Sequence, residues 1–205
     1  MRENQHILQQ AAKSVTTQLR DKPTPQLVVE TLLTCEKQAK KQSVTPQFQQ
    51  LMGCWRLCFI TGTKKTRRRA GIVLGAGRYI PQWTKIKLTY SPVSTEIEST
   101  PNQDFETGKI QNSVEIGGLH LILAGPVKFI KHKILAFDFT QMTVKLFGQT
   151  IYQGKIRGGT ESEDSFYTQS IQKQAFFAYF IVEDDLIAAR GKGGGLALWG
   201  KVEDE

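Results

Sequence analysis

The chain has 205 residues, 40% hydrophobic and 22% charged, a globular balance too apolar for a disordered chain and long enough for one domain with a sizeable core. Its longest apolar runs, residues 119–127 and 175–182, fall far short of the roughly 18 residues a membrane-spanning helix needs, and Arg2-Glu3-Asn4-Gln5-His6 has neither the apolar core of a secretory signal nor the composition of a transit peptide. Net charge is +8, carried by one segment: residues 37–95 hold twelve Lys or Arg and no acid, and the remainder nets −4. These features point to a soluble, cytoplasmic or peripheral protein, bacterial or already processed.

Residues 1–52 read as helical. Ile7, Leu8, Ala11, Ala12, Val15 and Leu19 recur at helical spacing. Pro23 and Pro25 end that helix and open the next, with Thr24 as N-cap. The second helix, 26–42, carries Leu27, Val28, Thr31, Leu32, Cys35 and Ala39 on one stripe. A third short turn is expected over 45–51, with Pro46 at its first helical position.

After Gly53 the apolar stretches become short, rich in β-branched and aromatic residues, and separated by turn formers. Strands are expected at 54–61, 70–74, 85–90, 108–116, 120–124, 127–131, 133–138, 143–146, 151–156, 175–183, 186–190 and 196–201. Gly117–Gly118, Gly125–Pro126 and Glu183–Asp185 read as tight turns. Residues 158–171 are polar and read as a surface loop. No helical stretch follows Gly53 that would build βαβ units, so the sheet is expected to be antiparallel and to form a sandwich or a closed barrel. The predicted class is mainly β (α+β): an N-terminal helical segment, 1–52, packed on a β-barrel domain, 53–205.

A barrel of about eight strands encloses space that its own side chains fill or that holds one small ligand. Residues 134–139 and 175–182 are apolar on both faces and need cover on both, which the helices can supply outside. Phenylalanines concentrate at Phe129, Phe137, Phe139, Phe147, Phe176, Phe177 and Phe180, seven of the eleven, which suits either a dry core or an aromatic-lined pocket. The pocket candidates are Leu57 and Phe59 on the first strand, then Ile72, Leu74 and Leu88, then Val114, Ile116, Leu121 and Leu123. Phe137, Phe139, Phe177, Tyr179 and Ile181 complete the set. A register error of one residue inverts it.

Signals for chemistry are thin. Cys35, Cys54 and Cys58 are an odd count without zinc-site spacing, so reduced, buried thiols are expected. The three histidines form no metal or triad pattern. Gly191-Lys192-Gly193-Gly194-Gly195 lacks the order of a phosphate loop and reads as a β-turn. Adjacent Asp184 and Asp185 read as solvated turn residues rather than an acid–base pair. No catalytic residue, metal or cofactor is expected. The basic cluster Lys64, Lys65, Arg67, Arg68 and Arg69, with Arg78, Lys85 and Lys87 nearby, suits nucleic acid or an anionic membrane surface. The absence of any RNA-binding, zinc-knuckle or helix-turn-helix signature favours the membrane.

Three stretches carry a resemblance: Gly53-Cys54-Trp55-Arg56-Leu57 with Phe59, Thr107-Gly108-Lys109-Ile110-Gln111-Asn112-Ser113-Val114, and residues 185–199 with Arg190-Gly191 and the glycine turn. In this order, across residues 42–201, they resemble the plastid-lipid-associated protein (PAP/fibrillin) family. The resemblance implies a lipocalin-like barrel of cyanobacteria and plastids. Such proteins are associated with thylakoids, lipid droplets and photoprotection, and carry quinones, carotenoids or fatty acids. The family's acidic residue near the last strands would fall on Asp184 or Asp185, and the lack of a transit peptide suits a cyanobacterial member. In lipocalin-like barrels a first-strand Trp packs beneath a late Arg to close one end, and Trp55 and Arg190 are the candidates. The expected function is non-enzymatic carriage of a small hydrophobic lipid. The alternatives are a lipid-droplet coat without a stoichiometric guest, or a nucleic-acid module using residues 64–87.

Overall fold

A computed structural model describes residues 2–17, 21–41, 46–62, 77–93, 105–130 and 133–203. Helix α1 spans Arg2–Thr16 and α2 spans Pro25–Ala39. A 3₁₀ turn, Phe48–Leu51, leads into the strands. These are β1 Gly53–Ile60, β2 Arg78–Tyr79, β3 Thr84–Ser91, β4 Phe105–Ile116, β5 Leu119–Ile130, β6 Ile134–Phe137, β7 Gln141–Leu146 and β8 Gln149–Lys155. Helix α3, Gly159–Phe166, precedes β9 Ala175–Val182, β10 Leu186–Gly191 and β11 Leu196–Val202.

Eight strands close a barrel in the order β4-β3-β1-β11-β10-β9-β6-β5, and β5 returns to β4 along twelve residue pairs. Every pairing is antiparallel. The predicted mainly β fold, a lipocalin-like barrel with helices before it, is what the chain forms. The hairpin β7–β8 continues the sheet outward from the first half of β5.

The predicted turn at Gly125–Pro126 is instead the middle of one long strand, β5. Its second edge pairs with β7 as far as Ala124 and with β6 from Val127 onward. Pro126 sits between the two partners, where its missing N–H costs no ladder bond. Gly125 lies against the Asp138 carbonyl with no room for a Cβ. The polar stretch expected to be a surface loop holds α3 and a 3₁₀ turn at Ile171–Lys173. Three backbone carbonyls from Phe166, Tyr167 and Gln169 tie it down by accepting from buried Lys128 Nζ at 3.1, 3.3 and 2.7 Å. Strand β2 was not expected. The expected strand at 70–74 lies outside the described residues.

The N-terminal helices cover the outer face of β1 and β9–β11. Thr24 caps α2, its Oγ1 accepting from Leu27 N at 3.4 Å, and Pro25 opens it. Leu8, Ala11, Val28 and Leu32 pack with Phe59, Leu186, Ala188, Leu196 and Leu198. Ala12 and Thr16 come down on Gly200 of β11, where a Cβ would sit 3.2 and 3.0 Å from them. Leu27, expected on the buried stripe, is 40% exposed.

Arg190 fastens α2 to the barrel. Its Nε and Nη2 donate to Glu36 Oε1 and Oε2 at 2.7 and 2.5 Å, and Nη1 donates to the Gly194 carbonyl at 2.6 Å. The Arg190 hydrogen bonds hold the Glu36 carboxyl below its ordinary value of 4.5. A carboxyl depressed in the fold contributes stability that is full above its unfolded value and is lost as pH falls through the folded one. Glu36→Gln is therefore expected to cost about 2 kcal/mol at neutral pH. The difference from wild type should shrink as pH drops below 4.5, as measured by urea denaturation across pH.

Candidate ligand site at the barrel mouth

Register fixes which side chains look inward. On β1, Trp55 and Leu57 pair with Lys201 and Trp199 of β11, then the register slips before Phe59 meets Leu198. On β10, Ile187 and Ala189 pair with Trp199 and Ala197. On β9, Val182 pairs with Ile187 and Tyr179 with Ala189, again with a slip between. Inward residues form one buried cluster and outward residues another, beneath the helices.

Two expected pocket residues are thereby corrected. The bulge at Cys58 turns Phe59 outward, fully buried against α2. The bulge at Phe180 turns Ile181 outward and brings Val182 inward. A β-bulge inserts one residue and reverses the alternation beyond it. Ile181 lines a crevice of about 270 Å³ between the helices and β9, with Leu8, Cys35 and Phe180.

The expected Trp55–Arg190 closure is corrected for the same reason. Trp55 points inward and Arg190 outward to Glu36. The cation over the Trp55 indole is Lys201 Nζ, 5.3 Å from the ring centroid. The end is closed from within: Trp55 Nε1 donates to the Leu51 carbonyl at 2.7 Å, and this holds the Phe48–Leu51 turn as a plug. Phe48 packs on Tyr90 and Phe129, both at 6.1 Å between centroids.

The lower half of the lumen is solid. Tyr90 and Tyr179 meet across it, hydroxyl to hydroxyl at 2.7 Å. Phe177 stacks on Phe137 at 4.9 Å and meets Trp199 edge-on at 5.4 Å. Leu88, Phe137 and Tyr179, read as pocket wall, are buried in this floor. Burial raises both tyrosines above the ordinary value of 10. The stability from keeping them neutral is full below their unfolded value and is lost as pH rises toward the folded ones. Tyr90→Phe leaves the Tyr179 hydroxyl unpaired and is expected to cost about 2 kcal/mol. Tyr90→Phe/Tyr179→Phe should recover most of that loss, which thermal melts of the three variants would measure.

Toward the other end exposure rises along the inward face. Along β5 the inward face runs from Val127, fully buried, through half-buried Leu123 and Leu121 to Leu119 at 44% exposure. Along β4 it runs from Ile110, fully buried, through half-buried Val114 to Ile116 at 44%. Val114 pairs with Leu121 and with Ile86 of β3. Leu121 and Leu123 pair with Val144 and Met142 of β7. Leu57, Phe139 and Phe177 lie half-buried on the upper side of the packed cluster. The wall is thus apolar, with Asn112, flanked in register by Leu88 and Leu123, as a polar handle.

Of the expected pocket residues, the mouth gathers Leu57, Val114, Ile116, Leu121, Leu123, Phe139 and Phe177. Ile72 and Leu74 lie outside the described residues, as do Lys64, Lys65, Arg67, Arg68 and Arg69. Ile86, Met142 and Val144 were missed, although alternation with Leu88 and within β7 already marked their face. A second groove of about 570 Å³ crosses the outside of the β4–β5 bend. Its walls mix Lys109, Gln111, Glu163 and Asp164 with Val93, Ile110, Ala124, Pro126 and Tyr167. Compared with known proteins, the chain matches no family model and no curated protein.

Proposed function

We propose that the chain binds a small hydrophobic molecule non-covalently in the mouth half of its barrel, as a carrier rather than an enzyme. The observation that carries this reading is the exposure gradient along β4 and β5. A single apolar face passes from a sealed floor to open, half-buried leucines and valines. Such a wall is unfavourable in water and favourable around an apolar guest, at roughly 25 cal/mol per Å² buried. The packed floor limits the guest to one ring system or chain segment lying in the upper half.

The resemblance to the PAP/fibrillin family supports a quinone, carotenoid or fatty acid as guest. It further suggests a cyanobacterial member working at thylakoid or lipid-droplet surfaces, with a peripheral anionic membrane as partner. Among the described residues no helix is long and apolar enough to cross a membrane. Titration of the purified chain with a quinone, a carotenoid and a fatty acid tests the reading. Saturable binding of at least one class, near one guest per chain, supports it. Unsaturable, weak partition of all three would favour a lipid-droplet coat without a stoichiometric guest.

A further inference from the structure

Of the nine exposed large apolar side chains among the described residues, seven gather at one end of the sheet: Trp83, Ile116, Leu119, Leu146, Phe147, Ile151 and Tyr152. Scattered exposure is ordinary, but a contiguous cluster of this kind is not. Register makes it contiguous, because Thr84, Ile116, Leu119 and Leu146 form one row across β3, β4, β5 and β7. Trp83, at 68% exposure, precedes the row, and Phe147, at 83%, caps the β7–β8 hairpin. This row is the outer rim of the mouth.

Phe147 is held against its own preference. It and Gly148 take φ of 47° and 81°, the two-residue turn that Asn, Asp and Gly favour. A phenylalanine in that region costs about 1–3 kcal/mol relative to a turn former. Its ring lies over Gly118 of the neighbouring β4–β5 turn, leaving no space for a Cβ there. Apart from that contact, a ring 83% exposed at a strained tip serves folding no better than Asn would.

The row behind carries two lysines against one acid. Lys85, Glu115, His120 and Lys145 pair in register across β3, β4, β5 and β7, with one acid among them, 3.9 Å from Lys85. The whole segment 37–95, which contains β3, has no acidic residue. An apolar tip backed by lysines complements an anionic bilayer, where aromatic side chains settle at the headgroup level and cations stay with the phosphates.

We infer that these turns form a membrane-insertion lip that seats Trp83, Ile116, Leu119, Leu146 and Phe147 in the headgroup–acyl boundary of an anionic bilayer. The mouth then opens onto the lipid itself, so a guest passes between bilayer and barrel without crossing water. The lip rests on the carriage reading only for its purpose, not for its chemistry.

Trp83 supplies the reporter, because Trp55 and Trp199 are buried. Vesicles of phosphatidylcholine with phosphatidylglycerol, carrying bromine on the acyl chains, should blue-shift and quench the emission of the full chain. Trp83→Phe should lose most of that quenching. Phe147→Asn should melt at the same or a higher temperature and weaken vesicle binding about tenfold. Vesicles of phosphatidylcholine alone should bind less. Equal binding by Phe147→Asn would overturn the lip. So would sedimentation with vesicles while Trp83 emission stays unchanged, or a wild-type dimer that Phe147→Asn dissociates, since the face would then belong to a second copy. A chain that docks in this way but holds no guest supports the lip and sinks only the carriage reading. A chain that holds a guest but ignores vesicles overturns the lip alone.

Discussion

Trp55→Ala lowers the melting temperature by about 10 °C while the chain still folds. Trp55 is fully buried and lies in the largest core cluster. Removing a buried Trp side chain costs about 3–5 kcal/mol, because the lost burial is compounded by the cavity left behind. For a chain of this length each kcal/mol moves the midpoint by about 2–4 °C. The same substitution frees the Leu51 carbonyl and the plug turn it anchors. Trp55→Phe separates the two effects: it keeps most of the packing, loses the hydrogen bond, and should cost about 1 kcal/mol. Differential scanning calorimetry of the three proteins is the check. An unchanged midpoint for Trp55→Ala would mean that the plug does not close the barrel.

A carboxylate on the mouth wall abolishes guest binding with little damage to the fold. Leu121 is half-buried, between Val114 and Val144 in register. Leu121→Asp can keep its charge hydrated while the mouth is empty, so its stability cost should stay near 1 kcal/mol. A bound apolar guest would strip that hydration, and the dissociation constant should rise about 100-fold. Tyr90→Phe is the opposite control, because it loosens the floor and leaves the wall intact. It should cost stability and leave affinity unchanged. A lipophilic fluorescent probe displaced by the natural guest reads both variants. Equal affinity for Leu121→Asp and wild type would place the guest elsewhere.

Much of the fold was legible in the sequence. Period-two alternation and glycine turns marked the strands, and the absence of helices between them dictated antiparallel pairing. Proline spacing and Thr24 marked the helices. What failed to show were the places where tertiary context overrides the local pattern. The bulge at Phe180 inserts one residue into a strand apolar on both faces, and that at Cys58 lies within the apolar run Leu57-Cys58-Phe59-Ile60, so no change in hydrophobicity marks either. Each reversed one pocket assignment, Phe59 and Ile181. Gly125–Pro126 carries turn residues but serves a strand whose edge changes partner. Helix α3 has a polar sequence, and its hold on the barrel comes from Lys128, a distant lysine that no local pattern connects to it. The Arg190 partner is not legible in the sequence, because the strand pattern alone does not show which face looks outward. Glu36 lies 154 residues away on a helix whose seat on the barrel only the fold supplies.

Organic extraction of the purified full chain, followed by mass spectrometry, tests the carrier reading most directly. A single hydrophobic species should recur across preparations at close to one per chain, and the same extraction of Leu121→Asp should yield none. A chain that returns only trace, variable lipid, identical in both proteins, would mean that the half-open apolar wall holds nothing.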